Sequence, residues 1–170
     1  FYRFNAISLL LDRSLMFGSL MALLVSLLLV GAAAMTGARF RPDGWYQTLR
    51  KPRWTPPDLA FPIAWGILYL LMAIAAWRIY MADDSPLRSA SLAVYGAQLL
   101  ANAAWSWLFF GRKQIGAALV DIVVLLVLIT LAIGLFAQVN TFAAWLMVPY
   151  WLWVALALAL NATILRLNSA

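Results

Sequence analysis

The chain has 170 residues, of which 66% are hydrophobic and only 11% charged, with a net charge of +6 and a mean hydropathy of +0.90. Soluble domains carry about 25% charged residues, so a water-soluble domain is excluded. The absence of cysteine and histidine likewise excludes disulfides, thiolate chemistry, the usual zinc sites and histidine-ligated haem.

A hydrocarbon core of roughly 30 Å needs about 20 apolar helical residues per crossing. Runs of that kind occur at Ser14 to Ala38, Leu59 to Met81, Ala90 to Phe110, Ile115 to Gln138 and Phe142 to Leu165. They are apolar all round, whereas a β-barrel needs short strands that alternate apolar and polar, so they are expected to be helices. The expected fold class is therefore an all-α membrane protein, a bundle of five transmembrane helices forming one domain over residues 1–170. The first run is too long for a signal-peptide core and has no clear cleavage site, so it is expected to be a retained span. Residues 1–13, with Arg3 and Arg13, form an N-terminal extension.

The connection from Arg39 to Asp58 contains Pro42, Pro52, Pro56 and Pro57, which prevent one continuous helix. It also holds Trp45, Tyr46 and Trp54, too aromatic for a linker, and is expected to fold back over the bundle. With five spans, Arg3, Arg13, Arg78 and Arg88 fall on one side. Arg39, Arg41, Arg50, Lys51, Arg53, Arg112, Lys113 and Arg166 fall on the other, which the basic excess marks as cytoplasmic together with the C-terminus. Topology thus accounts for the positive charge, and nucleic acid is not an expected partner.

From Trp45 to Tyr69 the chain reads WYQTLRKPRWTPPDLAFPIAWGILY; FFG follows at Phe109 to Gly111 and PYWLW begins at Pro149. Trp45, Tyr46, Leu49, Lys51, Pro52, Trp54, Pro56, Pro57, Trp65, Leu68 and Tyr69 match the signature of the translocator protein family, also called TspO or tryptophan-rich sensory proteins, which this chain resembles from about Gly31 to Asn168. The resemblance implies five helices, a first loop at residues 39–58 capping a pocket, and binding of porphyrins, with sterol and benzodiazepine-type ligands in some members. It implies ligand contacts from Trp45, Lys51, Trp54, Trp65, Tyr69, Asn102, Trp105, Trp153, Ala157, Leu160 and Asn161. Some members degrade bound protoporphyrin in light, which would make Trp65 and Trp153 photochemical candidates without any conventional catalytic residue. The implied setting is an integral, multi-pass membrane protein of bacterial origin.

The residues themselves support convergence. Trp65 and Tyr69 share one helix face, as do Trp153 and Ala157, with Leu160 and Asn161 continuing that side; Asn102 and Trp105 lie three apart on the third span. Such a face suits a flat apolar ligand held by area burial and stacking. The structural alternative is that tryptophans form interfacial belts, the preferred reading for Trp77, Trp107, Trp145 and Trp151, and that asparagines join helices. Arg39, Arg41, Arg50, Lys51 and Arg53 could pair with porphyrin propionates, Lys51 being favoured because the motif contains it. No cofactor or metal is required; protoporphyrin IX is the expected ligand, ahead of haem, since no His or Cys is present to ligate iron.

Asp121, deep in the fourth span, is expensive in lipid and marks either an interhelical bond or a proton or solute path, which is the basis of an alternative carrier function. A scaffold without ligand is a further alternative. Ala93, Ala97 and Ala101 form a small-residue stripe suited to a homodimer, although Ala33 with Gly37, and Ala34 with Ala38, show the same spacing and suit packing within one chain. Two departures from the family stand out. Ala162 replaces the tyrosine of the animal sterol pattern while Arg166 remains, which weakens the case for sterol binding. Ser106 and Trp107 stand where prolines are frequent, leaving the local helix geometry open.

Overall fold

A chain in hydrocarbon must satisfy its backbone hydrogen bonds internally, and helices account for nearly the whole of this one. The computed structural model describes the backbone of residues 2–169 and the side chains of residues 16–169. The side chains of the N-terminal extension, including Arg3 and Arg13, lie outside the described residues. The elements are α1 (Tyr2–Arg39), α2 (Gly44–Thr48), α3 (Ala60–Tyr80), α4 (Pro86–Ser106), a π-helical turn (Trp107–Gly111), α5 (Ile115–Val139) and α6 (Thr141–Asn168). There is no strand among the described residues. Four helical segments are long and apolar enough to cross a membrane: Met16–Arg39 of α1, and α3, α5 and α6. The helix α4 is as long as α3 but less apolar, because it carries Ser91, Gln98 and Asn102, all buried.

The long helices pack in cyclic order. The helix α1 lies on α3, α3 on α6, α6 on α5, α5 on α4, and α4 returns to α1. The polarity pattern is that of a protein dissolved in lipid. Large apolar side chains face outward, with Leu28 63%, Leu100 74% and Trp145 67% exposed, while Ser26, Ser91, Gln98, Asn102 and Asn161 are buried. Several tryptophans join helices through their N–H groups. Trp77 donates to the carbonyl (3.1 Å) and hydroxyl (3.2 Å) of Ser19, and Trp151 donates to the Thr130 hydroxyl at 2.9 Å.

The helix ends follow local chemistry. The helix α4 begins at Pro86, four residues before the apolar run, because the Ser85 hydroxyl accepts from the Arg88 amide (3.1 Å) and proline fits the first helical position. Asn140 caps α6 by accepting from the Ala143 amide at 2.9 Å. At Ser106 and Trp107, whose local geometry the sequence leaves open, α4 gives way to the π-helical turn, closed by the Arg112 amide on the Trp107 carbonyl at 2.7 Å. The turn ends at Gly111, which has no Cβ and so lets the Phe40 ring approach: a Cβ there would lie 2.8 Å and 3.0 Å from two Phe40 ring carbons and 3.2 Å from Trp107.

Gly111→Ala should therefore displace Phe40 and cost about 1–3 kcal/mol, as overpacking does. A lowered thermal midpoint in detergent checks this, with Gly116→Ala, where a Cβ meets nothing within 4 Å, as the control that loses no stability.

Candidate functional site

The helices α3, α4 and α6 turn aromatic faces toward one volume, which α5, the end of α1 and the connection between α1 and α3 complete. The result is a cavity of about 790 Å³, within the range of small-molecule sites. Eight of the eleven ligand contacts that the resemblance implies line it: Trp65, Tyr69, Asn102, Trp105, Trp153, Ala157, Leu160 and Asn161. Helical spacing brings them together. Trp65, one turn before Tyr69, stacks on it with ring centroids 5.2 Å apart, and meets Tyr150 edge-on at 6.1 Å. Trp153 is held edge-on by Phe61 at 5.7 Å, and Trp105 stacks on Phe109 at 5.2 Å.

Most hydrogen-bonding capacity in the wall is used within the protein. The Tyr69 hydroxyl donates to Asn102 Oδ1 (3.0 Å), Asn102 Nδ2 donates to the Tyr150 hydroxyl (3.1 Å), and that hydroxyl donates to Gln98 Oε1 (3.0 Å). The Trp105 N–H goes to Asn161 Oδ1 (3.0 Å), and Asn161 Nδ2 goes to the Ile115 carbonyl (3.0 Å). Among the described residues the indole N–H groups of Trp65 and Trp153 have no protein acceptor, and neither nitrogen is sealed from the space around it. Two indole donors are thus left without a protein partner among the aromatic rings of the wall.

Three other sequence candidates lie off the wall. Lys51 Nζ donates to the Tyr46 carbonyl at 2.6 Å and sits 4.2 Å from the Tyr46 ring centroid, a cation–π contact. Trp54 is 48% exposed. Trp45 packs edge-on against Phe109 at 6.0 Å. The basic residue that does line the cavity is Arg41, whose Nε donates to the Ala38 carbonyl at 3.0 Å; Asp58 is the acidic one. Asp121 is not on the wall, and its Oδ2 is buried without a partner. In the small-residue stripe of α4, Ala93 is exposed while Ala97 and Ala101 are half-buried.

Sequence reasoning did not single out Phe40, Phe61 or Val154, and it read the small residues Ala34, Gly37 and Ala38 only as helix packing, yet all six line the cavity. The repeated small residues at the end of α1 were the available signal. Where they face the cavity, they leave space for an occupant.

The connection is fastened to the bundle at three places. Tyr46 is buried against Phe109 and Phe110, with centroids 6.2 Å and 5.5 Å away. The Arg50 amide donates to Asn168 Oδ1 (3.0 Å), and Asn168 Nδ2 donates back to the Arg50 carbonyl (3.0 Å). Asp43 caps α2, accepting from the Tyr46 amide at 3.2 Å, and pairs with Lys113 at 3.1 Å. Lys113 adopts φ 57°, the left-handed region that costs a non-glycine residue energy, and its ammonium also lies 5.6 Å from the Trp45 ring.

A model described as the TspO/MBR family matches residues 20–167. The chain is 42% identical over 138 residues to the tryptophan-rich sensory protein of Cereibacter sphaeroides, covering 81% of this chain and 85% of that one. It is 38% identical to protein CrtK of Rhodobacter capsulatus (80% and 86% covered). It is 33% identical to the translocator protein of Homo sapiens (82% of each).

The hydrogen bond from Lys113 holds the Asp43 carboxyl below its usual range. A lowered value means that the pairing contributes above the ordinary carboxylate range and is lost as pH falls through the lowered one. Amide hydrogen exchange over residues 44–49, corrected for intrinsic rates, should rise in that acid range. Lys113→Ala should raise it already at neutral pH.

Proposed function

The chain belongs to the TspO/MBR family, and on that premise we propose that it is a membrane sensor or translocator that binds protoporphyrin IX and related flat apolar ligands in the cavity between α3, α4 and α6. The observation that carries the reading is the wall itself: stacked aromatics among which the Trp65 and Trp153 N–H groups have no protein acceptor. A planar ligand gains from burial and stacking on such a wall, and the two indoles orient an acceptor on it. Arg41, rather than Lys51, is the cation placed to pair with a propionate at the cavity edge, since Lys51 is committed to Tyr46. Relatives named sensory protein and translocator support sensing or movement of the ligand.

In this reading the protein crosses the bilayer five times. The helix α4 counts as a crossing despite its lower hydropathy, because its polar residues Ser91, Gln98 and Asn102 are buried inside the bundle and away from lipid. The connection between α1 and α3 caps the cavity on the cytoplasmic side, where Arg39, Arg41, Arg50, Lys51 and Arg53 accumulate. A homodimer would use the α4 face bearing Ala93. Light-dependent loss of bound porphyrin needs only the pigment, oxygen and oxidisable rings beside it, which Trp65 and Trp153 supply. The carrier alternative is weaker, because Asp121 does not line the cavity.

Titration of the purified protein with protoporphyrin IX should quench tryptophan emission saturably. Trp65→Phe and Trp153→Phe should each weaken binding about fivefold, the worth of one net hydrogen bond. Ala157→Ile should weaken it further by filling the wall, and Arg41→Gln should weaken binding of the diacid but not of its dimethyl ester. Unchanged affinity in the double tryptophan variant sinks the site assignment, and an unchanged rate of porphyrin loss under illumination removes the photochemical role.

A further inference from the structure

Among the described residues three buried side-chain polar atoms lack a partner, and two of them are complementary: Gln98 Nε2, an amide donor on α4, and Asp121 Oδ2, a carboxylate acceptor on α5. These helices pack directly on one another. Gln98 is wholly buried. It accepts from the Tyr150 hydroxyl. A buried donor and a buried acceptor on touching helices favour pairing, directly or through one water.

The hydrogen bonds from Tyr69 to Gln98 have a direction, and all of it can be reversed together. As observed, each proton points away from the cavity: Tyr69 to Asn102, Asn102 to Tyr150, Tyr150 to Gln98. If the Gln98 amide turned over, its nitrogen would donate to Tyr150, Tyr150 to Asn102, and Asn102 to Tyr69, with every link still made. Only the ends differ. In the observed direction Tyr69 presents an oxygen lone pair to the cavity, and in the reverse direction it presents a proton. A carboxylate that accepts from Nε2, directly or through one water, would hold the observed direction. The two amide links transmit orientation and pass no proton, so this arrangement is distinct from a proton path.

We propose that Asp121 and Gln98 are positioning residues that fix the direction of the hydrogen bonds through Tyr150 and Asn102, so that Tyr69 accepts from the occupant and the cavity favours ligands bearing an N–H or O–H donor. This rests on the reading that ligands occupy the cavity. Carbazole and dibenzofuran are flat three-ring molecules of nearly one shape that differ in carrying an N–H or a bare oxygen. Each would be used to displace protoporphyrin IX from the full chain in detergent, read by porphyrin emission.

The wild type should bind carbazole about fivefold tighter than dibenzofuran, one hydrogen bond's worth. Asp121→Asn, whose amide can accept from Gln98 or donate to it and so allows both directions, should bring the preference toward one; Asp121→Glu should retain it. Gln98→Leu and Tyr69→Phe should abolish it. Loss of a merely structural residue would weaken both probes alike. Equal binding of the two probes by the wild type, an unchanged ratio in Tyr69→Phe, or a wild-type ratio in Asp121→Asn overturns the inference while porphyrin binding stands. Failure of the wild type to bind protoporphyrin overturns the cavity reading and this inference with it. Should Asp121→Asn not fold, the wild type, Gln98→Leu and Tyr69→Phe still decide.

Discussion

The hydroxyl of Tyr150 is bonded on both sides, receiving from Asn102 and giving to Gln98, and the arrangement of the bundle around the cavity depends on it. With no water in hydrocarbon to satisfy them, an amide on α4 and a phenol on α6 must find each other, and Tyr69 brings α3 into the same set. A net hydrogen bond is worth only about 1 kcal/mol, but leaving a buried partner unmet costs more, so the set holds three helices at one depth and in one rotation. That rotation is what turns Trp65, Trp105 and Trp153 toward a common space. The bonds do not fill the cavity; they fix which faces border it.

The end of the bundle toward the connection obeys a different constraint. The π-helical turn inserts an extra residue into a helical turn, and Phe109 and Phe110 both come to face Tyr46. Gly111 then has to be without a side chain so that Phe40 can lie over it. Lys113 has to enter the left-handed region before α5 can start, and the pairing with Asp43 together with the contact to the Trp45 ring offset that local strain. Aromatic packing carries most of this junction, because an exposed ion pair alone contributes little.

Five apolar runs were read as spans, because roughly 20 apolar residues in a row have few other uses, and four of the corresponding helices are long and apolar enough to cross. The helix α4 is the one that falls short, since its buried Gln98 and Asn102 lower the average that hydropathy measures while serving the interior. Helical spacing correctly grouped Trp65 with Tyr69 and Asn102 with Trp105, because residues three or four apart must share a face. The orientation of side chains in irregular backbone was not legible: a signature containing Lys51 and Trp54 does not say that one turns back onto Tyr46 and the other stays exposed. Nor could spacing reveal that the Trp77 and Trp151 N–H groups bond to Ser19 and Thr130, because that requires knowing which helices are neighbours. Tyr150 sat in plain view inside PYWLW without distinction. Its importance is a property of three helices at once.

Phe40, Arg41 and Tyr46 belong to the segment just after α1 and also line the cavity. Any occupant that touches them contributes free energy to one position of that segment over others. By linkage, whatever displaces the segment changes the affinity of the occupant by the same factor. The fastenings of the segment differ in strength: Tyr46 is buried among aromatic rings, whereas Asp43 and Lys113 are exposed at its edge. Movement therefore costs least around Arg41 and Pro42 and most around Tyr46, which makes Tyr46 the natural pivot. Part of the cavity wall is thus already on the surface, where Arg41 is exposed.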